Sequence, residues 1–258
     1  MISPLNKEPK NGPFGVVWFG DPHLDSNGCN WPALKEHIEI TSETPYLYGA
    51  NVGDTLDNWP KNSRLARLLA HSDTSEQTAW KLAKWFLEDS GVSWLLWLMG
   101  NHGMFSTELP KILREMNTQR IPMEDWGARF ILKTENDEFK IWASHNFPGH
   151  SQWNTMHGPL KAAKLHEEAD LYVCGHTHNW ALHQEESASR QFVYWLVRCR
   201  GYKYIDEYAT RLGHFPQSIG ASIVTIFNPG APLGQRAVCF PDVRQGADYL
   251  NYLRSGKG

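Results

Sequence analysis

Five apolar runs in this chain each stop at a short polar motif built from Asp, His and Asn, and this feature constrains the fold most strongly. The runs occupy residues 14–19, 45–50, 94–99, 139–143 and 171–174. Stretches that are apolar at almost every position are typical of strands covered on both faces. The sequence therefore predicts a layered fold in which several buried strands end beside polar loops.

Helical patterns separate some of these runs. Thr74 and Gln77 fit a capping box for a helix over 75–89. Pro159 suits the first turn of a helix that continues through 160–168. Beyond Trp180 the chain becomes β-rich, with strands predicted over 191–198 and 221–227. Strand–helix alternation followed by a β-rich segment predicts a layered α/β domain.

The chain reads as a single domain over residues 1–258. It has no internal repeat, no low-complexity tract and no linker long enough to separate two units. Residues 1–13 and about 245–258 are predicted to be loose tails. The net charge of -3 argues against a generally basic DNA-coating protein, although it leaves a local basic groove open.

Targeting signals and cysteine usage favour a cytoplasmic protein without a membrane partner. The first 13 residues are polar and lack an apolar signal core, and the most apolar run, 92–99, is too short to span a bilayer. The four cysteines form no CxxC pair, which predicts free thiols in a reducing compartment.

The polar motifs that follow the five runs carry the candidate chemistry. They are Gly20-Asp21-Pro22-His23, Gly53-Asp54-Thr55-Leu56-Asp57, Gly100-Asn101-His102, Ser144-His145-Asn146 and Gly175-His176-Thr177-His178. In layered α/β folds, ligands bind outside the carboxyl ends of the strands. One such motif alone would indicate an ordinary buried histidine, but five in order predict a shared site. Oxygen and imidazole donors without thiolates suit Mn, Fe, Zn or Ni.

This order of motifs resembles that of the calcineurin-like metallophosphoesterases, and the resemblance spans about residues 14–180. It implies a two-sheet β-sandwich flanked by helices, with a dimetal site at the C-terminal ends of the strands along one edge. By the same resemblance, the first metal would be held by Asp21, His23 and His178. The second would be held by Asn101, His145 and His176, and Asp54 would bridge the two.

The resemblance also implies a hydrolytic activity. Two divalent cations, with manganese expected, would share a hydroxide that attacks the phosphorus of a phosphate ester. His102 would be the catalytic residue that protonates the leaving group or stabilises its charge. The leading hypothesis is a phosphodiesterase acting on a nucleotide or a nucleic-acid-like diester. A phosphomonoesterase, an exonuclease and a non-catalytic scaffold of the same fold remain alternatives.

The chain departs from the family pattern at two positions. Gly103 follows His102 where the family usually has an acidic residue, so the group that orients His102 is left open. Asn58 follows Asp57 where the superfamily's protein phosphatases have an arginine, which argues against a phosphoprotein substrate. Asp57 itself is interpreted as a hydrogen-bond partner within its own loop and not as a ligand.

Three residues are predicted to contact the substrate. His150 lies in a loop after the fourth motif, where functional side chains are common. Arg198 and Arg200 would share one face of a strand and form a wall for phosphate and base, although a solvated β edge is the alternative. Among the 12 tryptophans, Trp59 and Trp153 lie beside motif loops and are candidates for base stacking.

Overall fold

The computed structural model describes residues 12–60, 72–151, 153–166, 168–188, 191–204 and 218–256. Within these residues the strands are, in chain order, β1 (Phe14–Phe19), β2 (Leu47–Asn51), β3 (Trp94–Leu98), β4 (Met123–Glu124), β5 (Gly127–Lys133), β6 (Glu138–Ser144), β7 (Leu171–Cys174), β8 (Ala181–Ser187), β9 (Phe192–Arg198), β10 (Ser222–Phe227) and β11 (Ala237–Phe240). The apolar runs read from the sequence thus form β1, β2, β3, β6 and β7.

The helices of the described residues are α1 (Trp31–Glu43), α2 (Glu76–Lys84), α3 (Gly100–Gly103), α4 (Glu108–Met116), α5 (His157–Leu165) and α6 (Val243–Arg254). A π-helical turn, Trp85–Asp89, continues α2, and a 3-10 turn covers Leu233–Gln235. In the part of the chain that the structure describes, no helix combines the length and apolar character needed to cross a membrane.

The strands form two sheets that pack face to face. The first has the order β11-β10-β1-β2-β3-β4, and the second has the order β5-β6-β7-β9-β8. Neighbours β1, β2, β3 and β4 are parallel, as are β6, β7 and β9, whereas β10 runs antiparallel to β1. Parallel neighbours place their carboxyl ends at one edge of a sheet, so the loops that follow them gather there.

Side-chain alternation along the strands separates the core into layers. On β1, Val16 and Trp18 face the interior between the two sheets, whereas Val17 and Phe19 pack under α1, α2, α4 and α6. Helix α5 covers the outer face of the second sheet beside Tyr172. These layers confirm the predicted α/β architecture of two sheets flanked by helices.

The C-terminal segment is a packed helix, so the prediction of a loose tail from about residue 245 is wrong through Arg254. The Asp242 side chain caps α6 by accepting a hydrogen bond from the backbone N of Gln245. Val243, Ala247 and Leu250 recur at helical spacing and are buried against the first sheet. Residues 1–11 and 257–258, the rest of the predicted tails, lie outside the described residues.

The predicted helix over 75–89 differs in its cap and in its last turn. Ser75 is the N-cap, because its hydroxyl accepts a hydrogen bond from the backbone N of Thr78 at 3.2 Å. The predicted capping box at Thr74 is therefore one residue early. All four cysteines are free and buried, which confirms the prediction of free thiols.

Candidate metal centre

The loops after β1, β2, β3, β6 and β7 meet at one edge of the sandwich. They bring together eight predicted site residues, namely Asp21, His23, Asp54, Asn101, His102, His145, His176 and His178. Hydrogen bonds join loops of the two sheets, because the Asp21 carboxylate accepts from the backbone N of His176 at 2.5 Å. Asp54 links β2 to the next loop of its sheet by accepting from the backbone N of His102 at 2.9 Å.

One tight donor group contains Asp54, His145 and His176, whose ligand atoms all lie within 4.8 Å of one another. The side-chain oxygen of Asn101 lies 2.8 Å from His145 Nε2 and 2.9 Å from His176 Nδ1. The two imidazole nitrogens are themselves 3.1 Å apart. These are the residues predicted for the second metal together with the predicted bridge, and their donor atoms converge on one point.

A second donor group contains His23, Asp57 and His102, again within 4.8 Å. The ring of His178 lies 5.2 Å from that of His23, so this predicted ligand is adjacent to the group. Asp57 was not predicted to belong here. Its carboxylate lies 2.7 Å from His23 Nδ1 and 3.2 Å from Lys203 Nζ, so its partners are outside its own loop and the sequence-based interpretation is wrong in that respect.

Three buried polar atoms in the cluster have no hydrogen-bond partner among the described residues. They are Oδ1 of Asp21 and both ring nitrogens of His23, and both side chains are almost fully buried. Of the two nitrogens, Nδ1 lies 2.7 Å from the Asp57 carboxylate in an ion-pair contact. A buried polar atom without a partner is costly unless something else satisfies it. Because Asp57 contacts Nδ1 of His23, the lone pair of Nε2 is free to bind a cation, which is the usual arrangement around ligating histidines. The donor set fits a divalent metal.

Asp54 belongs to the first group and also contacts the second. Its Oδ1 accepts from the His102 backbone, and its Oδ2 is 3.2 Å from His145 Nε2. Burial opposes ionisation of Asp54, but contact with His145 outweighs it and holds the pKa of the carboxyl well below its usual range. An ionised carboxylate in contact with both donor groups has the position and charge expected of a bridging ligand.

Two members of the cluster, Asp21 and His145, bind a proton more strongly than usual. Burial raises the pKa of Asp21 to about 6, even though the charge of His145 opposes the shift. Burial also disfavours protonation of His145, yet the neighbouring Asp54 and Asp21 raise the pKa of that imidazole to about 9. A divalent cation would compete with the proton for these two side chains, so metal binding here should depend on pH.

Four of the predicted ligands have backbone conformations that are rare for residues with a side chain. The φ angles are +44° for His23, +47° for Asp54, +74° for His176 and +49° for His178. Residues in the left-handed region cost free energy and persist where the surrounding structure holds them, most often at functional sites. This strain is concentrated at the loops that carry the donors.

Two glycines allow the strand ends to approach the ligands closely. Gly53 and Gly100 have φ angles of +127° and +76°. A Cβ atom on Gly53 would collide with His145 Nδ1, and one on Gly100 would collide with the carboxylate of Asp54. Glycine is therefore required at both positions for space as well as for conformation.

The Asp57 carbonyl oxygen and the Asn58 side-chain amide hold His102 in place, without an acidic residue at position 103. Its Nδ1 lies 2.6 Å from the carbonyl oxygen of Asp57, and Asn58 donates to the His102 carbonyl at 2.8 Å. Gly103 has little space for an acid, since a Cβ there would lie 3.0 Å from Cβ of Met99. Burial lowers the pKa of His102 to about 4, against the opposing charge of Asp54.

The three residues predicted to contact the substrate differ in their position and exposure. Arg198 and Arg200 are both buried, so they form neither a solvated β edge nor an exposed wall. Strand β9 ends at Arg198, so the two arginines do not share a strand face. Arg198 donates to the Thr177 hydroxyl at 2.5 Å, between two predicted ligands, and Arg200 donates to the Ile219 carbonyl. His150 is exposed, and no hydrogen bond or ring contact joins it to the described site residues.

Sequence reasoning missed Trp126, whose ring lies 5.3 Å from that of His145 and 6.4 Å from that of His176. It follows β4 as the other motifs follow their strands, but a strand of two residues leaves no apolar run to detect. Of the predicted tryptophans, Trp59 packs 4.7 Å from the ring of His102, whereas Trp153 is 94% exposed.

Comparisons with known proteins give only distant structural likenesses. No family model matches the chain, and no curated protein matches it. Among solved structures, it is similar to GAP50, the anchor in the inner membrane complex of Plasmodium, with a TM-score of 0.47, 12% identity, and coverage of 89% of this chain and 84% of that one. It is also similar to a metallophosphoesterase from Sphaerobacter thermophilus, with a TM-score of 0.39, 14% identity and 95% coverage of both chains.

Proposed function

We propose that the chain is a metal-dependent phosphoesterase and, within that class, a phosphodiesterase. The observation that carries the proposal is the pair of adjacent donor groups, which are joined by the hydrogen bond from the His102 backbone of one group to the Asp54 carboxylate of the other. Buried charges and imidazoles cost free energy unless they are paired or bind a metal. Their concentration at one edge is therefore best explained by a cation site.

The proposed ligands divide as the motifs suggest. Asp21, His23 and His178 would hold one divalent cation, with Asp57 fixing the orientation of His23. Asn101, His145 and His176 would hold the other, and Asp54 would contact both. Two divalent cations held there would activate water and offset negative charge on the phosphoryl oxygens.

His102 is the residue that we assign to the leaving-group oxygen. Its contact with the Asp57 carbonyl fixes Nδ1 as the hydrogen-bond donor, so Nε2 is the nitrogen available to the substrate. The negative charge of a bound phosphate would add to that of Asp54 and favour the protonated ring. The ring would then donate its Nε2 proton as the ester bond breaks.

A diester is the proposed substrate because the chain lacks the arginine that the resembled protein phosphatases use to grip a phosphate. Asn58 stands at that position, and its side chain is engaged in hydrogen bonding to the His102 carbonyl. Manganese is the proposed metal, since mixed oxygen and imidazole donors suit it.

The test is hydrolysis of bis-p-nitrophenyl phosphate against p-nitrophenyl phosphate by metal-free protein reloaded with Mn²⁺. We expect Mn²⁺-dependent turnover with a higher kcat/KM for the diester. A preference for the monoester would overturn the diester assignment. Two bound cations without turnover of either ester would overturn the enzymatic proposal and favour a non-catalytic role. Asp54→Ala protein, treated identically, controls for metal released into solution.

A further inference from the structure

Trp126 is held beside the donor groups by its backbone. It lies in the short connection between β4 of the first sheet and β5 of the second. Its carbonyl oxygen accepts a hydrogen bond from the backbone N of His145 at 2.7 Å. The junction of the two sheets therefore holds the Trp126 backbone next to that of His145, and the indole lies 5.3 Å from the imidazole of His145.

The ring of Trp126 packs in none of the hydrophobic clusters that form the core of the described residues. Its residue is 44% exposed, and its ring contacts among the described residues are with the imidazoles of His145 and His176. Tryptophan is normally highly buried, so a half-exposed indole that contacts two predicted ligands has a face available to a bound molecule.

The other tryptophans near the site are not equivalent. The Trp59 ring stacks on Phe105 at 26° between ring planes and packs against His102, so its surface is already used by the protein. Trp153 is 94% exposed but has no ring contact with a described site residue. Trp126 alone among these three combines an exposed indole with contact to the predicted ligands.

We propose that Trp126 is a stacking platform for a planar base, which makes nucleotide esters the preferred substrates of the site; this rests on the proposed function. A phosphoryl group near His145 and His176 would leave the base of the same nucleotide within reach of the indole. Stacking on an aromatic side chain accepts any base, because every base has a π face. The expected selectivity is for the presence of a base and not for its identity.

The kinetic test compares two diesters with the same leaving group and charge. One is the p-nitrophenyl ester of thymidine 5′-monophosphate, and the other is methyl p-nitrophenyl phosphate. We expect Trp126→Ala to lower kcat/KM for the thymidine ester roughly tenfold, as loss of one base stack predicts, and to leave the methyl ester within about twofold. Trp126→Phe should keep most of the selectivity, and Trp153→Ala, the matched control, should change neither ester.

A binding measurement provides a readout that does not depend on turnover. Calorimetry on Mn²⁺-loaded protein would compare thymidine 5′-monophosphate, ribose 5-phosphate and inorganic phosphate. We expect Trp126→Ala to abolish the advantage of the nucleotide over ribose 5-phosphate without changing affinity for inorganic phosphate. The bound metal, measured on the same samples, should remain at the wild-type level.

Several outcomes would overturn the inference while leaving the proposed function standing. Equal loss of kcat/KM on both esters, or loss of bound metal, would show that Trp126 supports His145 and not the substrate. Loss of affinity for ribose 5-phosphate would identify a sugar contact instead. If the wild-type protein cleaves neither ester, the proposed function fails, and the calorimetric comparison still decides the role of Trp126.

Discussion

At the scale of single residues, Asp57 orients two imidazoles through two different groups. Its carboxylate contacts Nδ1 of His23 at 2.7 Å, and its carbonyl oxygen contacts Nδ1 of His102 at 2.6 Å. His145 follows the same rule, since its Nδ1 is 3.0 Å from the carbonyl oxygen of Val52. An oxygen at Nδ1 fixes the tautomer and leaves Nε2 for a metal or a substrate.

We expect Asp54→Ala to remove both metals. Its carboxylate contacts both donor groups, so its loss withdraws a ligand and a negative charge from each. The measurement is metal content per chain after loading with Mn²⁺ and desalting. Asp137→Ala is the matched control, because Asp137 pairs with Arg236 just before β6, at the opposite end of that strand from His145. Wild-type metal content in Asp54→Ala would contradict the assignment of Asp54.

His102→Ala should retain both metals and lose activity selectively on esters with poor leaving groups. A proton donor matters most when the departing oxygen is basic, and general acids typically contribute roughly 100- to 10,000-fold. The measurement is the dependence of kcat on leaving-group pKa for a series of aryl esters, which should become steeper in the variant. An unchanged slope, with activity lowered equally on every ester, would argue against proton donation by His102.

At the scale of secondary-structure elements, the sequence predicts the strands that are buried on both faces and misses the strands that are half-exposed. Strands β1, β3 and β7 are apolar throughout because layers cover both of their faces, so each can be recognised in the sequence as a continuous apolar run. Strand β5 alternates between covered and open positions, and β4 has two residues. Neither strand produces a strong hydrophobic pattern in the sequence. For the same reason the sequence did not indicate that Trp126, which lies between them, is near the site.

The site was predictable to the same extent. Ligands that directly follow a strand could be located from the motifs, because strand ends converge in a layered fold. The roles of Asp57, Asn58 and Arg198 could not be predicted. Each depends on a hydrogen bond or ion pair to another segment of the chain, and the sequence does not show which segments come together in the fold. The burial of Arg198 and Arg200 was unpredictable for the same reason.

Gly53→Ala should destabilise the fold and weaken metal binding, because the new Cβ would collide with His145 in a backbone conformation that alanine disfavours. Gly230→Ala separates these effects: Gly230 has a φ of +77° but nothing within 4 Å of its added Cβ. We expect Gly230→Ala to cost about 1 kcal/mol of unfolding free energy and to leave metal content intact. Chemical denaturation and metal analysis provide the measurements, and equal behaviour of the two variants would refute the collision.

At the scale of the whole molecule, stability should depend on pH through His37 on α1. The ring contacts the Tyr202 hydroxyl at 2.6 Å, and Glu36, Asp242 and Arg200 are its charged neighbours. Burial lowers the pKa of His37 from 6.5 to about 4. The unfolded chain therefore binds more protons between these values, and the stabilisation present above pH 6.5 is lost as the pH falls toward 4.

This contribution is on the order of 3 kcal/mol at most. We expect the unfolding free energy of metal-free His37→Gln to fall less between pH 6.5 and pH 4 than that of the wild type. Urea titrations across this range provide the measurement, and His183→Gln, whose side chain on β8 is 52% exposed, is the matched control. A parallel decline in His37→Gln and wild type would contradict a buried neutral His37.

The position of β1 between β2 and β10 has a consequence for how the molecule is made. Phe14 pairs with Phe227, more than two hundred residues later, while Gly15 pairs with Leu47 on the other side. The ribosome synthesises the chain from its amino end, so β1 cannot pair with β10 until most of the polypeptide has been made. Pairings between such distant segments also form slowly. We therefore expect the sheet edge that carries the donor groups to be completed only after translation, when the last strands close the sheet.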